Sequence, residues 1–584
     1  MVPGLQVARI GTDKWAISSR GFNDWFSNKL LVLMDGRTVY NSVYSGVYWR
    51  DQDVLLEDVA RIEVIRGPGA SLWGANAVNG VINIVTKPAA DTQGALVTAG
   101  AGTEERAFGA ARYGGTLGSS AHYSAYVKHA NHDDTATPAG DDSRDAYYLS
   151  KGGGRIDGQS SDRDGYTLQG DYRDGKAHNR TYSLAPGTAD LQISESDDAL
   201  GGSNLLGRWQ HTFSSTSELI AQAYYDHSDT TFAAYAEEVD TYDVDLQHRF
   251  ALGARQEIMW GMGYRLIQGD LQSTPIMSFD PAERTDDLFS LFLQDEIALM
   301  PKKLALIVGS KFEENDFTGW EAQPNARLRW TPYDRHTFWG AVSRAVRTPS
   351  RYEKDARVTQ ITLDFPGMQI ATFGNKDFES EELTAYETGY RFFSGGRWGF
   401  DLAFFYNQYD RLRTWAMGTP YIEGSPPHWV LPFSTVNEME GDTYGAEAAV
   451  DWRPLDWWRL QGAYSCLRME LSDPVTDDVV SIVTEGQNPE QQFSLRSAMD
   501  FSHGFELDLW LRYVDKLPAD LQSIPDYWQL DARIGWQATR SWSFDLVGQN
   551  LLEDRHPEFS AELFGVPRAE IERGVYFKAT WRFQ

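Results

Sequence analysis

One cysteine, Cys466, stands in 584 residues, which excludes an intrachain disulfide and any multi-cysteine zinc or iron–sulfur site. No run of about 18 uninterrupted apolar residues occurs, so the sequence encodes no helix able to cross hydrocarbon. Basic residues are scarce: 53 Lys and Arg against 83 Asp and Glu give a formal charge of -30. Phosphate binding needs a basic surface, so nucleic acid is excluded as a partner. The N-terminus, Met1 to Leu5, lacks a basic segment followed by an apolar run and a small-residue cleavage site.

Catalytic patterns are missing as well. There is no His-Glu-x-x-His, no Gly-x-Ser-x-Gly and no Gly-x-x-x-x-Gly-Lys-Ser/Thr, so nothing supports an enzyme, and no catalytic residue or cofactor is assigned. His122, His129 and His132 do not make a metal cluster, because His122 and His129 have opposite strand parity. The loop from Asp133-Asp134 to Asp141-Asp142 and Asp145 carries carboxylates of the kind calcium uses. It lacks EF-hand spacing and reads as a solvated loop, so no metal is assigned.

What is present is period-2 sequence. Between Arg397 and Trp415, Trp398, Phe400, Leu402, Phe404 and Tyr406 share one parity while Asp401, Ala403 and Asn407 share the other, with Phe405 an apolar exception. In the last strand Val575, Phe577, Ala579, Trp581 and Phe583 alternate with Tyr576, Lys578, Thr580 and Arg582. A soluble sandwich would also alternate. A closed sheet, however, pairs every backbone group, spans hydrocarbon and keeps a polar lumen, which is compatible with a mean hydropathy of -0.45.

Strand centres fall near residues 98, 110, 125, 152, 169, 208, 222, 245, 260, 293, 307, 327, 340, 388, 405, 446, 461, 495, 509, 532, 546 and 577, about 22 strands. Tight turns such as Ser214 to Ser217 and Ser394-Gly395-Gly396 alternate with long connections near 131–146, 175–202, 268–286, 347–381, 414–439, 468–489 and 551–570. Short periplasmic turns opposite long external loops are the asymmetry of an outer-membrane barrel. Trp339, Trp415, Trp452, Trp457, Trp458, Trp528, Trp536 and Trp542 suit interfacial girdles. Gly152-Gly153-Gly154 reads as a thin place on a strand.

Four ordered motifs precede the barrel: Val2-Pro3-Gly4-Leu5-Gln6-Val7, Ile17-Ser18-Ser19-Arg20-Gly21-Phe22, Leu31-Val32-Leu33-Met34-Asp35-Gly36-Arg37, and Val59 to Pro68 running on through Gly69 to Lys87. Within the barrel stand Ser343 to Ser350, Glu387-Thr388-Gly389-Tyr390-Arg391 and Gly548 to His556. Together these resemble a TonB-dependent outer-membrane receptor over nearly the whole chain. The resemblance implies an all-β fold: a 22-stranded antiparallel transmembrane barrel over 91–584 with a partial plug inside it over 1–90.

The family's plug has a section ahead of the Val-Pro-Gly motif, including the TonB box that pairs with TonB as an added strand. This chain begins at that motif, as an N-terminally truncated plug would. Gln584 stands where such barrels usually end on an aromatic residue. The implied partners are TonB–ExbB–ExbD, a small-molecule chelate and outer-membrane lipid. The implied function is energy-coupled uptake of a scarce ligand, most commonly a ferric siderophore, with cobalamin or another metal chelate next; a passive channel is the rival.

Ligand contacts in the family come from plug apices and the inner wall. The aromatic segments Asn23 to Asn28 and Tyr40 to Arg50 lie between matching stretches, so Arg20, Trp25, Phe26, Tyr44, Tyr48, Trp49 and Arg50 are the candidate ligand-binding residues. Stacking and charge-assisted hydrogen bonds would hold an aromatic or anionic ligand there. Plug-to-wall packing is the simpler role for any one of them.

Overall fold

The computed structural model describes residues 2–184, 191–363, 368–425, 427–518, 523–559 and 566–583; Met1 and Gln584 lie outside them. Two bodies are nested. The inner one begins with an antiparallel pair, Leu5–Arg9 and Trp15–Ser19, and continues as a four-stranded sheet in the order Arg37–Thr38, Leu30–Met34, Gly80–Thr86, Val59–Arg66. Its central strand, Leu30–Met34, is apolar at every position because both faces are covered, and it runs parallel to Gly80–Thr86. Leu30, Val32 and Met34 pack with Val47, Ile82 and Ile84, while Leu31 and Leu33 pack with Ala77 and Val81.

The outer body is a closed wall. Among the described residues 22 antiparallel strands form it, beginning at Gly94–Gly102 and ending at Gly574–Phe583. These two strands pair along the closing seam, from Tyr576 opposite Gly102 to Phe583 opposite Ala95. Every strand centre read from the alternation falls on a wall strand. Four shorter strands, Met277–Phe279, Ala356–Leu363, Met368–Phe373 and Tyr421–Glu423, add pairings in the external connections.

Three of the long connections are largely strand, one of them, read as 268–286, being mostly the ends of Gln256–Ser273 and Glu283–Met300 with Met277–Phe279 between them. The segment read as 175–202 continues the pairing of Asp164–Leu184 with Leu191–Ser214, and that read as 414–439 is largely Trp398–Met417 and His428–Leu455. Hydrophobic alternation stops where the outer face leaves the lipid, as at Lys176, His178 and Asp197, whereas backbone pairing goes on. The connection 468–489 holds the helix Val479–Gly486, and 347–381 holds the helix Arg351–Asp355.

Side chains sort as a membrane barrel requires. Trp452, Trp457, Trp528, Trp536 and Trp542 are exposed on the outer face. Trp339 and Trp415 are exceptions to the girdle reading: each is only half-exposed and carries an arginine over its ring, Arg327 and Arg413 respectively.

Candidate functional site

The plug is fastened to the wall by buried charges. Arg20 ends the strand Trp15–Ser19 at positive φ, which turns its side chain outward between two strands of the wall. Its Nη1 donates to Glu387 Oε1 at 2.7 Å and its Nε to Glu447 Oε1 at 2.9 Å, with the guanidinium 4.3 Å from the centre of the Phe405 ring. Arg66 Nη1 reaches the other oxygen of Glu447 at 2.9 Å, and its Nη2 reaches Asp401 at 3.1 Å. The glycine-rich turn makes this approach possible. Gly67 has φ +80°, and a Cβ built on it would lie 2.4 Å from Glu387 Oε1.

A second anchor is Arg50. It contacts Asp13, donates to Asp198 Oδ2 at 3.1 Å, and lies 3.6 Å from Asp51. Burial disfavours the charged form, and the surrounding carboxylates more than offset that and hold Arg50 firmly protonated. Asp145, read as part of a solvated loop, is buried and accepts hydrogen bonds from the Thr12 and Thr135 amides, both at 2.8 Å, and from Ser143 Oγ at 2.6 Å. It docks the external loop on the plug.

The aromatic candidates meet at the plug apex. Phe26 stacks on Tyr44, with centroids 4.4 Å apart and planes 9° apart, and meets Tyr48 edge-on at 5.4 Å. Trp25 stacks on the other side of Phe26 at 4.7 Å. The wall and external loops complete this layer with Tyr235, Met277, Phe279 and Tyr352, and the Tyr48 and Tyr235 hydroxyls lie 2.8 Å apart. Trp49 instead packs half-buried against the core of the plug sheet. Phe26, Tyr44 and Tyr48 are therefore brought together with Trp25; Arg50 stands at the edge of this layer, 5.4 Å from the Phe232 ring that packs on Tyr48, whereas Arg20 lies elsewhere and Trp49 faces the plug core.

A strap crosses this apex. Ser350 caps the helix Arg351–Asp355 in a reciprocal box with Glu353, and the amides of Arg351 and Tyr352 bond the carbonyls of Ser42 and Val43 in the plug. Beneath it, Glu381 accepts from plug Lys29 and from Arg347 Nε, both at 2.6 Å, while Glu353 accepts from Arg347 at 2.7 Å and Arg413 at 3.1 Å. Burial, together with Arg347 and Arg413, pulls Lys29 down to about 8 against the opposing pull of Glu381. Sequence reasoning missed Asp13, Asp198, Glu353, Glu381 and Glu447. Only Glu387 stood inside a quoted motif.

Around the strap, arginines sit over aromatic rings. Arg284 covers Phe317 at 4.2 Å, Arg357 covers Phe373 at 5.2 Å and Arg413 covers Trp415 at 5.2 Å. Each is also ion-paired, Arg284 with Asp286 and Asp355, Arg357 with Glu423 and Arg413 with Glu353, so the arginine–aromatic pairs at the mouth are charge-compensated.

A wall of 22 strands around an N-terminal plug held by buried ion pairs defines a plugged outer-membrane receptor, and comparison with known proteins agrees. A family model described as "TonB dependent receptor-like, beta-barrel" matches residues 102–551, and the "TonB-dependent Receptor Plug Domain" matches 1–81. The chain belongs to the TonB-dependent receptor family: it is an outer-membrane receptor that works with TonB, and it is not an enzyme.

It is 26% identical over 510 residues to the iron-regulated outer membrane virulence protein of Vibrio cholerae, covering 80% of this chain and 72% of that protein. It is 38% identical over 105 residues to the vitamin B12 transporter of Vibrio vulnificus, a match spanning 18% of this chain and 16% of that one. The fold is that of the ferric enterobactin receptor of Pseudomonas aeruginosa, with TM-score 0.79, 16% identity and coverage of 100% of this chain and 94% of that one. The siderophore receptor PirA of Acinetobacter baumannii superimposes with TM-score 0.77 at 16% identity, covering 100% and 95%.

Proposed function

We propose that the receptor takes up a ferric siderophore, with TonB–ExbB–ExbD supplying the pull on the plug. The observation that carries this reading is the pairing of arginines with aromatic rings around the strap, where Arg413 also lies over Tyr352 beside the stacked apex of Trp25, Phe26, Tyr44 and Tyr48. A ferric chelate of anionic, aromatic arms matches both parts, through cation–π and charge-assisted contacts to the arginines and stacking on the apical rings. The likeness to an iron-regulated protein of Vibrio cholerae supports the same cargo. Arg20 and Arg50 act in this scheme as anchors of the plug, Trp49 supports the apex from the plug core, and outer-membrane lipid is the solvent of the wall. Binding must favour the plug state that engages TonB, so the ligand acts by shifting that population.

The test is binding and uptake of iron-55-labelled siderophore by cells with and without TonB. Binding in both and uptake only with TonB is the expected result, and Phe26→Ala with Tyr44→Ala should weaken binding roughly 10- to 100-fold, as loss of a central aromatic anchor does. Uptake of labelled cobalamin in place of the siderophore would shift the reading to the vitamin. Uptake that is indifferent to TonB, with steady conductance in planar bilayers, would replace it with a passive channel.

A further inference from the structure

On the outer face of the wall, away from the plug, the strands Ser217–Thr231 and Tyr235–Leu252 carry an unusual group. Tyr235, Glu237 and Val239 are buried toward the lumen, so Glu238, Asp240 and Tyr242 face outward. His227 lies directly opposite Asp240, and Asp229 directly opposite Glu238. On the next strand Asp270 lies opposite Glu238. Three acids thus stand side by side across the sheet, an arrangement that is destabilising on its own. No Lys or Arg forms an ion pair with Asp229, Glu238 or Asp240 among the described residues; the basic neighbour of Asp240 is His227, at 2.9 Å. The outward positions flanking His227 and Asp240 are the uncharged Ser203 and Gln268.

Height in the membrane gives this group its meaning. From Leu252 to Tyr242 the outward positions are mostly apolar, and ten residues at about 3.4 Å each, tilted by about 40°, rise about 25 Å, the height of a barrel's apolar band. Tyr242 and Tyr225, with rings 5.1 Å apart, form the upper girdle. His227, Glu238 and Asp240 therefore sit one step above it, among lipid headgroups. The outer leaflet of a bacterial outer membrane is rich in phosphorylated lipid, which bare carboxylates would repel.

One ligand atom from each of His227, Glu238 and Asp240 lies within 4.8 Å of the others. Rotation of these side chains, Glu238 exposed and the other two half-exposed, draws the three atoms close enough to share one ion at metal–ligand distances of about 2.0–2.2 Å. The Tyr225 hydroxyl donates to Asp240 Oδ1 at 2.6 Å, the kind of outer bond that orients a ligating carboxylate. We propose that His227, Glu238 and Asp240 form a divalent-metal site at headgroup level, taking a first-row transition ion such as Zn2+ or Mn2+ and presenting its open positions to a headgroup phosphate. An imidazole with two carboxylates suits such ions better than calcium or magnesium, which prefer oxygen alone. The ligands come from two strands joined across a hairpin, so no short sequence motif announces them.

The experiment uses the full chain, purified in detergent, stripped with a chelator and titrated calorimetrically with Zn2+ and Mn2+. A saturable component that weakens at least tenfold in His227→Ala and in Glu238→Gln is expected, with heat-modifiable gel mobility unchanged as the check on folding. Equal affinity in the three proteins, or no saturable component in the wild type, overturns the site. In a second arm the protein is reconstituted with phosphorylated lipid and washed with chelator. The wash should strip bound lipid from the wild type, while His227→Ala should retain little before it. Lipid retention that the chelator does not change would overturn the metal bridge.

Discussion

At residue scale the informative contacts are buried charges whose partners lie far apart in sequence. Arg20 and its carboxylates Glu387 and Glu447 are separated by 367 and 427 positions, so no spacing could link them. Arg20→Ala would leave Glu387 without that partner and Glu447 with Arg66 alone. Loss of a buried partner costs about 3–5 kcal/mol, and the surviving Arg66 contact places this case at the lower end. Urea unfolding followed by plug tryptophan fluorescence should show the loss as an earlier plug transition with the barrel intact. Gly67→Ala should act in the same direction, since it adds strain at φ +80° and crowds Glu387. One sequence signal did point here: Phe405, the apolar exception on the inner parity, is the ring beneath Arg20.

A pH effect belongs to the same scale. Burial and the acids Glu572, Asp133 and Asp145 push Glu104, in the external connection after Gly94–Gly102, up to about 7. A carboxyl raised in the folded state binds its proton more tightly than in the unfolded chain, so its contribution is present below the unfolded value and is lost as pH rises through about 7. Glu104→Gln should therefore raise the melting temperature at pH 8 and leave it nearly unchanged at pH 4, as read by thermal scans at the two pH values.

At the scale of elements, the strap Ser350–Asp355 couples the external mouth to the plug. Its amides pair with Ser42 and Val43, so cysteines at Ser42 and Arg351 in a Cys466→Ser chain should cross-link when oxidised. The expected outcome is retained siderophore binding with loss of uptake, reversed by reductant. Wall strands were legible because lipid on one side and plug or water on the other impose period 2. The hairpins beyond the membrane were not, because Lys176, His178 and Asp197 face water while their backbones remain paired. Asp145 was hidden for a related reason: an acidic loop reads as solvated until the surface it docks on is known.

For the whole molecule, the formal charge of -30 coexists with arginine–aromatic pairs at the mouth whose guanidiniums are matched by carboxylates. The apical aromatics were legible as a group because plug motifs flank them, whereas composition could not tell which would meet at the apex. Arg20→Gln with Arg66→Gln removes both guanidiniums from Glu447 and should raise single-channel conductance in planar bilayers above that of the wild type, whose lumen the plug fills.

The seam between Gly94–Gly102 and Gly574–Phe583 also fixes an order of events during biogenesis. The wall cannot become a cylinder until the last ten residues dock on a strand made nearly five hundred residues earlier, and such distant pairings form late. The plug, synthesised first, must already lie inside the curling sheet when that final strand arrives, or else thread in afterwards as an unfolded chain. Assembly is thus a race between capture of the N-terminal body and closure around it.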